Sequence, residues 1–578
     1  MAGATKLQEV LGSLPQAFEA IPDQNTFYRR AEQELRRCLA DQLLQVFPLN
    51  GVRPEILQSG SLVRFAGMVQ DMPDPEYFLG AYSDSAGAAW QTTAFSDAAV
   101  PSTSEHRAIW ERKPLLCIPV PGQNTPRATA SAVLAGSTDT KGMKRGRDEE
   151  GSAMECDGHQ ADAACGAQQP IGKQQRSSEA AVHTAPAGSP ANPADYEGAC
   201  MVYLHGDASC AKLNSVIHAV GVLSLVPDLA QVPDDGPANE LATPPLPTSL
   251  VPRLHAILVE PESSGASQQQ WSPEQIKPQR EATLELLTSV CGGDALAAEY
   301  LLLQLVSKVT RHQEGDAVGT VCLNLTRCPG PSAGGNSNTS ASEQGSGFGQ
   351  ALAAALRGLG KRCVELPLTM QGLNARSWTP AQITATGRLQ TASLQFASGS
   401  QLLVDETVLK DGRLAATGVH NLQALKRIIE QQKVEYDFGF YKLPQPSDAP
   451  VTILSEGRML LQTLLQSSKS LALPLQPTSS LGTLERVKQQ LQHPAASAAA
   501  AYVESMRLLD CAIEGSMVEH LQRDMAARRQ ADRSIDGQHF HNWLSLVKAL
   551  AASHGESSVT EKRWQDMHRL EHLRQERL

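Results

Sequence analysis

From residue 26 to residue 47 apolar side chains recur every three to four positions: Phe27, Ala31, Leu35, Leu39, Leu43 and Val46. That period predicts an amphipathic helix. It then shortens to two. Residues 62–72 alternate in character and predict a strand, residues 77–82 a second strand beyond the Pro73-Asp74-Pro75 turn, and residues 115–120 a third, closed by Pro121-Gly122. Further on, 199–204 and 220–225 read as strands, 210–218 as a short helix, and 254–258 as another apolar run beyond a Pro-rich stretch. Several short strands with one inserted helix predict a small OB-like β-barrel region, contributed by residues 1–123 and 196–260.

The intervening residues 124–195 carry neither period. They are rich in Ala, Ser, Gly, Gln and Pro and poor in large apolar groups. Such a composition does not bury enough surface to offset chain entropy, so a disordered insertion is predicted. Within it Lys141, Lys144, Arg145 and Arg147 precede Asp148-Glu149-Glu150. A basic cluster in an exposed linker is a nuclear-import candidate, and a solvated charge run is an equally weighted reading.

The period changes again after residue 261. Helical patterns at 273–291 and 294–310 lead to a strand at 320–325, a Gly/Ser-rich loop and a helix at 350–359. Strands follow at 363–368, 402–404 and 451–454, with shorter extended pieces at 389–390 and 393–395 and a helix at 421–432. Alternation of strands and helices over 261–478 predicts an α/β sheet with helices on its faces. The order of its parts, strand, loop, helix and then a strand tipped by Asp405-Glu406, is that of a degenerate AAA+-like module. Residues 479–578 predict a C-terminal helical region: 481–492, 495–513, 517–532, 538–553 and 560–577. The predicted class is therefore α/β and α+β multidomain.

An apolar strand ending in Asp-Glu is how many α/β ATPases hold magnesium and polarise a water. That chemistry also needs a loop ending in Gly-Lys-Ser/Thr to cradle phosphates. No such tripeptide occurs, and the stretch 328–349 contains no lysine. Asp405 and Glu406 are thus read as a relic pair, with no catalytic residue, no cofactor and no metal expected. A strand-end pair that caps the next turn, or a nucleotide held without hydrolysis, are the other readings. Arg458 stands where a polar sensor residue would lie, and a helix-start or interface role is the preferred reading. His420-Asn421 lacks any nucleophile elbow and predicts a cap for the helix that follows. The acidic turn 71–77 predicts a rigid turn rather than a metal site. The final helix predicts a solvated, partner-facing element with Trp564 and Leu570 turned inward.

Net charge is −11 and the pI about 5.8, while aromatic residues make up 4%. Both weigh against free DNA as the primary partner, since phosphate binding needs surplus cations and base stacking needs rings. Eleven cysteines show no Cys-x-x-Cys pair, which argues against a zinc site and fits a reducing compartment. Residues 1–24 do not read as a signal peptide, and no apolar run reaches about 18 residues.

At this point the motifs converge. Residues 63–78, Cys117-Ile118-Pro119-Val120-Pro121-Gly122, residues 249–255, residues 294–301, Leu403-Val404-Asp405-Glu406-Thr407, Gly418-Val419-His420-Asn421, residues 432–438 and Ser455-Glu456-Gly457-Arg458 stand in one order. Together they resemble the family of mini-chromosome maintenance complex-binding proteins. The resemblance implies a nuclear, non-enzymatic protein that binds subunits of the mini-chromosome maintenance helicase and touches chromatin only indirectly. It implies a role in unloading or recycling that helicase and in sister-chromatid cohesion, with no membrane and no small-molecule substrate. An active ATPase using Asp405-Glu406, and an OB adaptor for single-stranded nucleic acid, are the competing expectations.

Overall fold

Alternating apolar positions in the first 261 residues build a β-structure whose ladder turns back on itself. In the computed structural model, helix α1 (Gln24–Ala40) starts at Asp23, whose carboxylate accepts from the Thr26 amide, and packs Phe27, Ala31 and Leu35 inward. The strands that follow are β1 (Phe47–Pro48), β2 (Leu62–Asp71), β3 (Glu76–Ser83), β4 (Gln91–Thr92), β5 (His106–Ile118), β6 (Cys200–Leu204), β7 (Val216–Ser224) and β8 (Arg253–Pro261). Pairing runs β2–β7–β8–β6–β5, and β5 pairs again with β2. Val63, Phe65, Leu115, Cys117, Val202, Ile217 and Leu254 fill one side of these strands.

The helix predicted at 210–218 does not form over the described residues 211–218. Asn214 takes a left-handed φ of 64° in a turn, and the chain enters β7 at Val216. A β-branched pair, Val216-Ile217, favours the ladder with β2 over a helix.

The second region opens with α2 (Pro273–Val290) and the apolar α3 (Ala295–Val306), followed by the hairpin β9 (Arg311–Gln313) and β10 (Asp316–Val318). Next come β11 (Cys322–Thr326), α4 (Gly347–Gly360), β12 (Cys363–Pro367), α5 (Met370–Ala375), β13 (Ala381–Ile383) and β14 (Arg388–Gln390). They are followed by β15 (Gln401–Asp405), α6 (Ala416–Gln431), β16 (Lys433–Asp437), β17 (Lys442–Pro446), β18 (Val451–Leu454) and β19 (Ser470–Pro474). A central sheet runs β12-β15-β18-β11-β19 with every pairing parallel. A smaller sheet runs β14-β13-β16-β17. The predicted extended piece at 393–395 is instead a turn, in which the Gln395 amide donates to the Ala392 carbonyl.

Five helices complete the chain: α7 (Leu484–Leu491), α8 (Pro494–Leu508), α9 (Gly515–Ala531), α10 (Gly537–Ser553) and α11 (Glu561–Gln575). They share one core with α3, α4 and β11. The structure describes residues 23–41, 44–83, 90–97, 106–123, 196–206, 209, 211–226, 246–262, 271–313, 316–330, 345–384, 386–457 and 470–578. The expected insertion, its basic cluster and Arg458 lie outside them. Among the described residues no single helix is long and apolar enough to cross a membrane. The α2–α3 pair reaches that composition only across a 120° bend, and α3 is buried along its length in the shared core.

Candidate functional site

The carboxyl ends of parallel strands are where open α/β sheets gather their polar chemistry. Here β11, β15 and β18 end side by side, and each delivers polar groups. Asn324 of β11 is fully buried and accepts at Oδ1 from the Ser455 hydroxyl at 3.2 Å. The Cys328 amide donates to the Ser455 carbonyl at 3.0 Å, which draws the chain leaving β11 onto the end of β18. Gly330 then passes so close to Glu456 that a Cβ would lie 1.8 Å from Oε1.

The centre of this end is Asp405. It is buried, and its Oδ2 accepts from the Ser346 amide at 2.6 Å. Its Oδ1 accepts from the Thr407 amide at 3.1 Å and the Thr407 hydroxyl at 2.6 Å. Ser346 is the N-cap of α4, and its hydroxyl accepts from the Gly349 amide. Gly349 is required by this approach, since a Cβ there would meet Asp405 Oδ2 at 2.5 Å. A helix N-terminus attracts an anion through its free amides and its dipole. The anion at α4 is the chain's own carboxylate, with both oxygens engaged. Glu406 follows at the rim, its amide held by the Leu454 carbonyl. Among the described residues no group of three or more His, Cys, Asp or Glu side chains is placed to hold a metal.

The other singled-out residues have structural partners. Asn421 caps nothing, because α6 begins five residues earlier, at Ala416. Its fully buried amide instead accepts from the Trp378 N–H and donates to the Leu373 and Arg376 carbonyls at 2.8–2.9 Å. The final helix is not simply a solvated face. Trp564 is inward as expected, but Glu571 and Arg574 are buried too. Arg574 pairs with Glu571 at 2.9 Å and donates to the Ala472 carbonyl of β19, while Arg577 reaches Asp294 at 2.7 Å.

Asp71, at the head of the acidic turn, spends its carboxylate on backbone amides, Oδ1 accepting from Met72. Its Oδ2 accepts from the Leu389 amide at 2.9 Å, and burial raises its carboxyl above the usual range. This contact opens a polar seam between the first β-region and the α/β region, which sequence reasoning missed. Gln70, fully buried, donates to the Leu389 carbonyl at 2.9 Å. Gln395 donates back to the Gln70 carbonyl at 2.9 Å and to Asn214 Oδ1 at 3.3 Å. The Tyr436 hydroxyl completes the set by donating to Asn214 Oδ1 at 2.9 Å, and burial pushes its phenol up to about 12. A second fastening lies at Gly122, whose carbonyl accepts from the Cys363 amide and from Arg357 Nε. Gly122 has φ 74°, and a Cβ there would sit 2.6 Å from the Cys363 carbonyl carbon.

Comparison with known proteins gives these features a context. The family described as mini-chromosome maintenance replisome factor matches residues 36–578. The mini-chromosome maintenance complex-binding protein of Arabidopsis thaliana is 32% identical over 546 residues, spanning 90% of this chain and 88% of the relative. The proteins of that name from Danio rerio and Homo sapiens are 28% and 27% identical, spanning 91% and 92% of this chain and 90% of each relative. With the match reaching from within α1 to beyond α11, the chain belongs to the mini-chromosome maintenance replisome factor family.

Proposed function

We propose that this protein is a non-enzymatic partner of mini-chromosome maintenance helicase subunits. It acts in the nucleus during DNA replication, promoting helicase unloading or subunit recycling and so supporting sister-chromatid cohesion. The observation that carries the non-enzymatic reading is Asp405. In a working site its carboxylate would serve magnesium, yet both its oxygens are spent on Ser346 and Thr407, against a loop without lysine. The names of the relatives support the choice of partner.

The architecture supports a subunit-like reading. A parallel order of β12-β15-β18-β11-β19, with loop and helix leaving the interior β11, is consistent with an AAA+-type sheet. A five-strand pairing cycle that closes from β5 to β2 supports an OB-type N-terminal region. A protein with such parts fits beside a helicase subunit without supplying hydrolysis, and it shifts assembly by preferring free subunits to the closed ring. Lys141, Lys144, Arg145 and Arg147 remain the nuclear-import candidates.

Capture with the purified chain tests the proposal. Helicase subunits are expected to be retained, with phosphate release at background in both the native chain and Glu406→Gln. Failure to retain any subunit overturns the partner. Steady hydrolysis that disappears in Glu406→Gln overturns the non-enzymatic half.

A further inference from the structure

The most exposed large apolar side chain among the described residues is Phe440, at 100% exposure, with Tyr441 beside it at 59%. Both lie in the four-residue connection between β16 and β17, where Asp437 pairs with Lys442. This tip is ordered by its own bonds. The Gly439 amide donates to Asp437 Oδ1 at 2.9 Å, and the Phe438 amide donates to the Tyr441 carbonyl at 2.9 Å. Gly439 supplies the positive φ of 79° that the reversal needs. Phe438 packs against the α/β core, and the Tyr441 ring stacks on it with centroids 5.1 Å apart. Phe440 is thereby held outward on a fixed base, with its ring left in solvent.

Fully exposing a ring on a pinned turn forgoes the burial that aromatic side chains ordinarily gain. The surroundings narrow what could cover it. The cations nearest the tip are committed: Arg427 of α6 pairs with Glu435, and Lys442 reaches Glu435 at 3.1 Å and Asp437 at 3.7 Å, while Lys433 stands at the opposite end of β16 from the tip. At the tip Asp437 and Lys442 balance, so no surplus positive charge stands beside the rings for a phosphate backbone, and base stacking would lack its electrostatic half. The outermost strand β17 carries Pro444 and Pro446, which have no N–H to offer an added strand. A convex aromatic knob with balanced charge at its tip and no usable edge fits a concave apolar pocket on a folded protein, as rigid aromatic anchors of interfaces do.

We propose that the Phe440–Tyr441 tip is the anchor by which this protein enters an apolar pocket of a mini-chromosome maintenance helicase subunit. This rests on the proposed partner and locates the contact on this chain. The contact is dominated by burial, so it tolerates salt. The bonds that hold Asp405 and those that hold the tip share no residue, so the two can be altered separately.

The experiment measures binding of the full-length chain to individually purified helicase subunits at low and at high salt. It compares the native protein, Phe440→Ala combined with Tyr441→Ala, and Phe440→Trp. Thermal unfolding is followed in parallel, and fluorescent oligo-dT and sedimentation of the chain alone are run alongside. The double variant is expected to unfold at the native temperature yet bind at least about tenfold more weakly at both salt levels, with Phe440→Trp retaining most of the affinity. Native binding with an undiminished double variant overturns the anchor and leaves the proposed partner standing. Absence of native binding overturns both. Tip-dependent capture of oligo-dT, or tip-dependent self-association, assigns the knob to another occupant and overturns this one.

Discussion

The tip of β15 and the seam at Gln395 are both buried and polar, and they differ in where their partners come from. Asp405 is satisfied within its own α/β region, by Ser346 at the start of α4 and by Thr407 just beyond β15, 59 and 2 residues away. Gln395 is satisfied by Gln70 and Asn214, 325 and 181 residues away. The first region carries an Asp-Glu signature that announces catalysis, and its bonds close a helix terminus. The second has no signature, and its bonds join two halves of the molecule. A motif records the chemistry a strand end is suited for, while the partners at that end decide what it does.

Removing each set separates the two regions. Asp405→Ala strands the Ser346 amide and both Thr407 donors in a buried site. A loss of about 3 kcal/mol in folding stability by denaturant titration is expected, because each unsatisfied buried group costs roughly 1–3 kcal/mol. A loss below about 1 kcal/mol would mean that water replaces the carboxylate and that the site is open. At the seam, Gln70→Ala and Gln395→Ala are each expected to cost about 2 kcal/mol. The double variant should fall short of their sum by roughly 0.5–1.5 kcal/mol, because the residues share partners. Strict additivity would break the seam into independent contacts.

The smallest effect is one of pH. The Tyr436 phenol is raised to about 12 against an ordinary value near 10. A folded-state value above the unfolded one favours the neutral phenol. Its contribution is therefore complete below pH 10 and is lost as pH rises towards 12, by roughly 1–2 kcal/mol. Tyr436→Phe is expected to flatten that alkaline decline, and Asp405→Ala to leave it unchanged. An identical decline in Tyr436→Phe would remove the phenol from the seam.

Legibility of the sequence followed the same division. The C-terminal helices were readable because their apolar period is unbroken and their starts carry caps such as Thr483, Asp536 and Thr560. Four strands of the central sheet, β11, β12, β15 and β18, were readable as short apolar runs, while β19 went unread. β5 was expected at 115–120 but begins at His106, because its first half mixes His, Arg, Glu and Lys with apolar residues along an outward face. β16 and β17 escaped notice, since two prolines and four charged residues mask their alternation. The helix expected at 210–218 failed where a long-range ladder overrode local pattern. At the candidate site, Asp405 was legible as an acidic strand tip, but its capture by Ser346 depends on how α4 is set against β15. Gln70, Asn214 and Gln395 were invisible for a related reason: a lone amide has no period, and only the tertiary pairing gives it a role.

Gly122 and Cys117 carry one more consequence. Cys117 stands directly opposite Cys200 in the β5–β6 ladder, so the chain departs after residue 123 and returns at residue 196 within the reach of neighbouring strands. The entropy of closing such a detour grows only with the logarithm of its length, about 0.6 kcal/mol per doubling. The β5–β6 ladder therefore holds the two ends of that excursion together whatever its length. A single nick within it would leave two fragments that still travel as one particle.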